Sequence, residues 1–283
     1  MATKQNSSSS TALTLKGKAR LVDYLDKNYL AIVAVMEKPC EKRRIKMALE
    51  NAIRRNYQIA GCTTMSVFNA LATCYRDGLE IGPNEAYLVP FKSSGKNVCT
   101  LIYDYKGLIT IAYQDGVLSY TEPFLVYEGE EYSFRNGIAE HDPQAPPNPA
   151  DLTDGVIAGY CRTRLTSGVI WPVKPVWAVE LIKIREMATA KLKRQDGPWF
   201  SWGERMYMKS IVKRQFHTIP RNHRRITGAI EVDNAFERGE PTAQVVDVEF
   251  DPEDDKPLDP EYVAPEYQEI EDDDLPKRKP KQT

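Results

Sequence analysis

Arg205, Lys209 and Lys213 stand four residues apart in Trp199–Arg225, a stretch in which Glu204 is the sole acid. On a helix such spacing lines the cations up in one row, with Tyr207, Met208, Ile211 and Val212 on the other side. Arg214, Arg221, Arg224 and Arg225 continue the charge, and Trp199 and Trp202 lie just upstream. A solvated helix face normally carries both signs, whereas this one carries nearly one sign next to aromatic rings. Ammonium and guanidinium groups neutralise phosphates and rings stack on bases, so the expected ligand is a nucleic-acid strand held without reading its sequence.

A second constellation lies between Gly78 and Gly116. Tyr87, Phe91, Tyr103 and Tyr105 interleave there with Lys92, Lys96 and Lys106. Tyr105-Lys106-Gly107 offers a stacking face, a phosphate contact and a position open to close backbone approach. On local sequence alone, a tyrosine packed under a hairpin with a surface lysine beside it is the plainer account of the same residues. Arg162 and Arg164 alternate with Cys161 and Thr163, so they share one face of a strand. That face either lines the same groove or balances nearby acids.

Net charge conceals the useful asymmetry. The whole chain of 283 residues has 38 basic and 40 acidic side chains, yet residues 231–283 hold 18 acidic and only 6 basic ones. Residues 1–230 therefore carry a net of +10, and a basic body points to a polyanionic partner. Cys40, Cys62, Cys74, Cys99 and Cys161 are scattered, without the paired spacing of a disulfide framework or a zinc site. No apolar run approaches the ~18 residues of a membrane span, so a cytoplasmic location is expected. The chain lacks a phosphate-binding GxxxxGK[ST] loop, which disfavours ATP-driven chemistry, and no cofactor is expected. Asp104, Asp115, Glu128, Glu130 and Glu131 are the carboxylates that a magnesium-dependent nuclease would use, but three of them sit in a predicted hairpin turn where acids are ordinary.

The elements that must position these residues follow from periodicity. Residues 1–18 are Ser-rich and expected to be disordered. Helices are expected over Leu21–Met36, Ile45–Tyr57 and Thr64–Tyr75, the last closed by Gly78. Ala86–Phe91 and Val98–Tyr103 form a hairpin, and Tyr105–Asp115 a short helix closed by Gly116. Val117–Tyr127, Glu131–Phe134, Gly155–Leu165 and Val169–Val176 are further strands, and the four prolines of 142–149 impose an irregular loop. Helices return after Trp177, with Leu181, Ile184, Met187 and Ala188 as one buried stripe and Glu204–His217 as the basic helix. The fold class is α+β: mostly antiparallel hairpins packed with helices, with one folded body over 19–235 and an acidic, Pro-rich disordered tail over 236–283.

Taken in order, GLE (78–80), AYLVPF (86–91), YKGLITIA (105–112), VYEGEEYSF (126–134), His141-Asp142-Pro143 and Pro198-Trp199 before a basic Met/Lys helix resemble the RecT family of phage single-strand annealing proteins. The resemblance implies ATP-independent annealing of complementary strands by a homo-oligomeric ring or filament. It implies single-stranded DNA and annealed duplex as ligands, a 5′–3′ exonuclease partner and contact with a host single-stranded DNA-binding protein. Magnesium is expected at most to tune assembly. Tyr105 and Lys106 match the family's aromatic-Lys-Gly element, and Lys209, Lys213 and Arg214 match its basic helix. Arg205, Trp199 and Trp202 join the set on chemical grounds alone. Two other readings stay open: a magnesium-dependent nuclease, and a passive single-strand coating protein. Glu271–Pro276 is similar to the acidic tip of bacterial single-stranded DNA-binding proteins but continues into Lys277, so the tail is either a polyanion mimic that shields the groove or a solubilising extension.

Overall fold

The computed structural model describes residues 5–36, 40–93, 95–190, 197–219 and 224–237. It is α+β, as the sequence leads one to expect. Helix α1 (Gln5–Ala34) buries Leu21, Tyr24, Leu25 and Ile32, and α2 (Lys42–Arg55) buries Ile45, Leu49, Ala52 and Ile53. The first helix starts well before the predicted boundary, so residues 5–18 are helical rather than disordered. The turns around Gly17 and Arg20 are seated by contacts that an apolar stripe does not announce. A Cβ on Gly17 would lie 2.3 Å from the Ala60 carbonyl oxygen, and Arg20 donates to the carbonyls of Ala60 and Cys62 at 3.4 and 2.7 Å.

Helix α3 (Thr64–Arg76) ends at Gly78, whose φ of +73° only glycine adopts without strain. The Gly78 amide donates to the Tyr75 carbonyl and the Leu79 amide to that of Cys74, the Schellman pattern that closes the last turn. Strands β1 (Ala86–Ser93) and β2 (Lys96–Tyr103) then form the expected hairpin, paired from Ala86–Tyr103 at the base to Ser93–Lys96 at the tip. Helix α4 (Tyr105–Gln114) leaves directly from the base.

The main sheet is built on β3 (Leu118–Tyr127) and β6 (Val156–Leu165), antiparallel over their whole length. The single strand predicted over Val169–Val176 is instead two short pieces, β7 (Ile170–Trp171) and β8 (Val176–Trp177), both paired to β6. Pro172 and Pro175 lack the amide hydrogens that one continuous strand would need. Between β3 and β6, β4 (Tyr132–Arg135) pairs with β5 (Ile138–His141), a strand the pattern did not predict.

The C-terminal helices are α5 (Ala178–Thr189), α6 (Pro198–Ser201), α7 (Gly203–Phe216) and α8 (Arg224–Glu237). In α5 Leu181 is buried, with Ile184 and Ala188 packed on the core, but Met187 faces out and is not part of the expected stripe. Helix α7 lies across β6 at Gly159, where a Cβ would meet Ile211 Cδ1 at 2.1 Å. It also packs against β3 and α4, and α8 packs on α4. Arg221 and the acidic tail from residue 238 onward fall outside the described residues.

Gly107 shows how tightly α4 is set. A Cβ there would lie 2.2 Å from the Glu85 carbonyl oxygen, so the close approach that this glycine permits is to the chain's own backbone. Alanine would gain up to ~1 kcal/mol of helix propensity but force that backbone apart. Gly107→Ala is expected to lose about 2–3 kcal/mol net in urea unfolding; an unchanged midpoint would contradict the packing.

Candidate nucleic-acid interface

The N-terminus of α4 and the N-terminus of α7 meet at one open surface. Asp104 caps α4, its carboxylate accepting the Lys106 amide at 3.0 Å, so the helix dipole's positive end is fixed beside Tyr105 and Lys106. Tyr105 is half-buried against the core, whereas Lys106 is exposed, its ammonium 5.9 Å from the Tyr105 ring centre. Burial, and next the Asp104 carboxylate, push the Tyr105 phenol above its usual range, so it stays neutral.

Arg205 of α7 reaches into this corner. Its guanidinium donates to Asn84 Oδ1 at 2.8 Å, lies 3.7 Å from Asp104 and sits 5.9 Å from the ring centre of Trp202. Trp202 occupies the break between α6 and α7 with 61% of its surface exposed. Two cations, a half-exposed phenol and an open indole are therefore held together by three elements. Arginine fixed at three points retains unused donors in a set direction, which suits phosphate, and the indole offers a face on which a base can stack.

The remainder of the predicted row is elsewhere. Lys209 and Lys213 do not line an open face of α7; both are buried, with Asp233 of α8 between them at 2.5 and 3.1 Å. Helix α7 packs on the sheet through β6 and β3 and on α4, and Asp233 of α8 meets its two lysines, so the wheel's polar side is interior as well. Burial would raise the Asp233 carboxyl, but the ammonium groups of Lys209 and Lys213 outweigh it and hold it below the ordinary carboxylate value. Trp199 is not a stacking platform either: it is 5% exposed and packs edge-on against Tyr207. Arg214 is exposed and paired with Glu180 at 2.8 Å.

Lys92 and Lys96 are exposed near the hairpin tip, about 20 Å along β1 and β2 from the base where α4 begins. They are not brought to the Arg205 corner. Arg164 is exposed opposite Tyr120, and Arg162, half-buried, lies opposite Glu122. The Arg162 guanidinium donates to the His141 carbonyl and stacks 4.8 Å above the Phe124 ring, so it serves the sheet.

Of the acids of the nuclease reading, Asp104, Asp115 and Glu130 have structural partners, and Glu128 and Glu131 are exposed. Glu130 accepts the amides of Tyr127 and Gln144 and lies 3.1 Å from His141 Nε2, while His141 Nδ1 meets the Tyr160 hydroxyl at 3.0 Å. This network ties the loop after β3 to β5 and β6. Among the described residues no group of three or more His, Cys, Asp or Glu side chains is placed to hold a metal ion, and no helix is long and apolar enough to cross a membrane.

Three participants escaped the sequence reading. Asn84 orients Arg205 from a turn with φ of +69°, a conformation that asparagine tolerates. Asp104 immediately before an apolar helical run is a readable cap. Asp233 falls at helical spacing with Ile226, Ala229 and Ile230, so an acid on an apolar stripe was the signal that cations lay opposite.

Residues 45–247 match the family model described as RecT family. The chain is also similar to Protein RecT of Escherichia coli (strain K12), 30% identical over 237 residues that cover 81% of this chain and 79% of that protein.

Because the Asp233 carboxyl is lowered in the folded chain, its stabilising effect is present above the unfolded value of about 3.9 and fades as pH falls through the folded one. Below about pH 4 the urea midpoint of the native chain is therefore expected to drop more steeply than that of Asp233→Asn. Parallel pH profiles would contradict the buried pairing.

Proposed function

Because the chain belongs to the RecT family, whose members anneal single strands of DNA in recombination, we propose that it holds single strands by their backbones at the α4–α7 corner and anneals them without a nucleotide cofactor. The observation that carries the reading is the convergence of Lys106, Tyr105, Arg205 and Trp202 on one exposed surface. Exposed Lys92 and Lys96 at the hairpin tip and Arg164 on β6 add cations elsewhere on the surface. Contacts to phosphate and ring faces leave base edges free to test complementarity. Cations also screen the repulsion between two strands, and the free energy of pairing then drives the reaction.

One such corner contacts few nucleotides. Repeated along a homo-oligomeric ring or filament, weak corners sum to a long track by raising the effective concentration of each next contact. Single strands must be supplied by a 5′–3′ exonuclease acting on duplex ends, and host single-stranded DNA-binding protein is the competitor or partner met on them. The setting is the bacterial cytoplasm, and magnesium acts on assembly rather than as a resident cofactor.

Incubating labelled complementary strands with the protein and magnesium, but no ATP, is expected to yield duplex faster than the strands pair alone. Shortened strands would support the nuclease reading, and slowed pairing a passive coat. Single-strand affinity is expected to fall steeply with salt, with Lys106→Ala and Arg205→Ala each lowering the log–log slope by about 0.7. Trp202→Ala is expected to cost about 1–3 kcal/mol of binding with the slope unchanged. A slope untouched by either cation variant would remove Lys106 and Arg205 from the interface.

A further inference from the structure

The outer face of the main sheet is covered at one end and open at the other. Residues alternate along β3 and β6, so Thr121, Pro123, Cys161 and Thr163 are buried while Tyr120, Glu122, Arg162 and Arg164 share the outer face. At the covered end the β4–β5 hairpin sets Phe134 edge-on against Tyr160, on which Phe124 stacks. At the open end Tyr120, Arg164 and Ile170 stand opposite one another on β3, β6 and β7. All three are exposed, Tyr120 by 41% and Ile170 by 66%.

A solvated antiparallel face normally presents polar side chains. This one presents a ring, a guanidinium and an aliphatic chain side by side, and among the described residues the Arg164 guanidinium has no ionic partner. The Tyr120 hydroxyl donates to Glu122, and that bond first, then burial, pushes the phenol up to about 12, so the ring stays neutral beside a phosphate. Glu122, the acid of this face, is thereby engaged and stands opposite Arg162. The face adjoins the α4–α7 corner. Tyr113, 41% exposed on α4, accepts the Thr121 amide at 2.9 Å and so fastens the helix along the free edge of β3. Lys106, Thr110 and Tyr113 follow one another at helical spacing on that side of α4. Glu122 is also near enough to Tyr105 to add, after burial and Asp104, to the rise of its phenol.

We propose that the Tyr120–Arg164–Ile170 face is a second nucleic-acid subsite, where a single strand leaving Lys106 and Tyr105 stacks a base on Tyr120 and sets a phosphate on Arg164. A ring and a guanidinium that neighbour one another on a sheet supply the paired stacking and charge contacts of sequence-independent binding. Ile170 extends the apolar floor beside them. The subsite rests on the corner reading above and gives each subunit a second hold on the same strand.

Titrating the full chain and its variants with an oligothymidylate across a range of salt tests this. Tyr120→Ala is expected to weaken binding about fivefold or more with the salt slope unchanged. Tyr120→Phe, which keeps the ring and loses the bond to Glu122, is expected to bind within about twofold of native. Arg164→Ala is expected to lower the log–log slope by about 0.7. Native binding by both alanine variants overturns the subsite. A loss in Tyr120→Phe as large as in Tyr120→Ala assigns the effect to the hydroxyl and contradicts stacking. Lys106→Ala in the same series decides the corner separately: a lowered slope keeps it even if the sheet variants are silent, and an unchanged one removes Lys106 whatever the sheet variants do.

Discussion

The charged contact of Lys209 and Lys213 with Asp233 decides how the C-terminal half of the molecule is built. A helix with cations on one side and apolar residues on the other would ordinarily lie at the surface with its cations in water. Here α7 is pressed on the sheet at Gly159 and packs on α4, and Asp233 of α8 lies between its two lysines. Burying two ammonium groups is tolerable only with a carboxylate placed between them. Asp233 therefore ties α8 to α7, and of the three cations in the row Arg205 is the one left partly open.

That remaining opening coincides with the start of α4. The tight seat of Gly107 under Glu85 and the capping of α4 by Asp104 hold Tyr105 and Lys106 rigidly at the hairpin base. Arg205 is then oriented by Asn84, Asp104 and Trp202 from three separate segments. A site whose members are positioned by caps and close packing, rather than by one another, binds without first ordering its side chains. Single-strand recognition of this kind needs few such points per subunit, because length along the strand supplies the rest.

Local structure was largely legible in the sequence. The hairpin, α4 and its glycine stop, and the long β3–β6 pair all followed from periodicity and turn chemistry. Tyr105, Lys106, Arg205 and Trp202 were legible by residue type, and the structure brings them to one place. What the helical wheel cannot show is which sides of a helix are covered. Lys209, Lys213 and Trp199 look as available as Arg205 until α8 and the packing of Tyr207 are known. The turn of α1 before Leu21 was not legible for a related reason, since Gly17 packed on the Ala60 carbonyl leaves no apolar signature.

The central claim is that single strands lie across the α4–α7 corner. Photocrosslinking an oligonucleotide carrying a photoreactive thymine analogue, followed by mass-spectrometric mapping, measures this most directly. Adducts are expected on Tyr105 and Trp202, the two rings open at that corner. Adducts confined to a different basic surface, such as the α2 face bearing exposed Arg43, Arg54 and Arg55, would contradict the account.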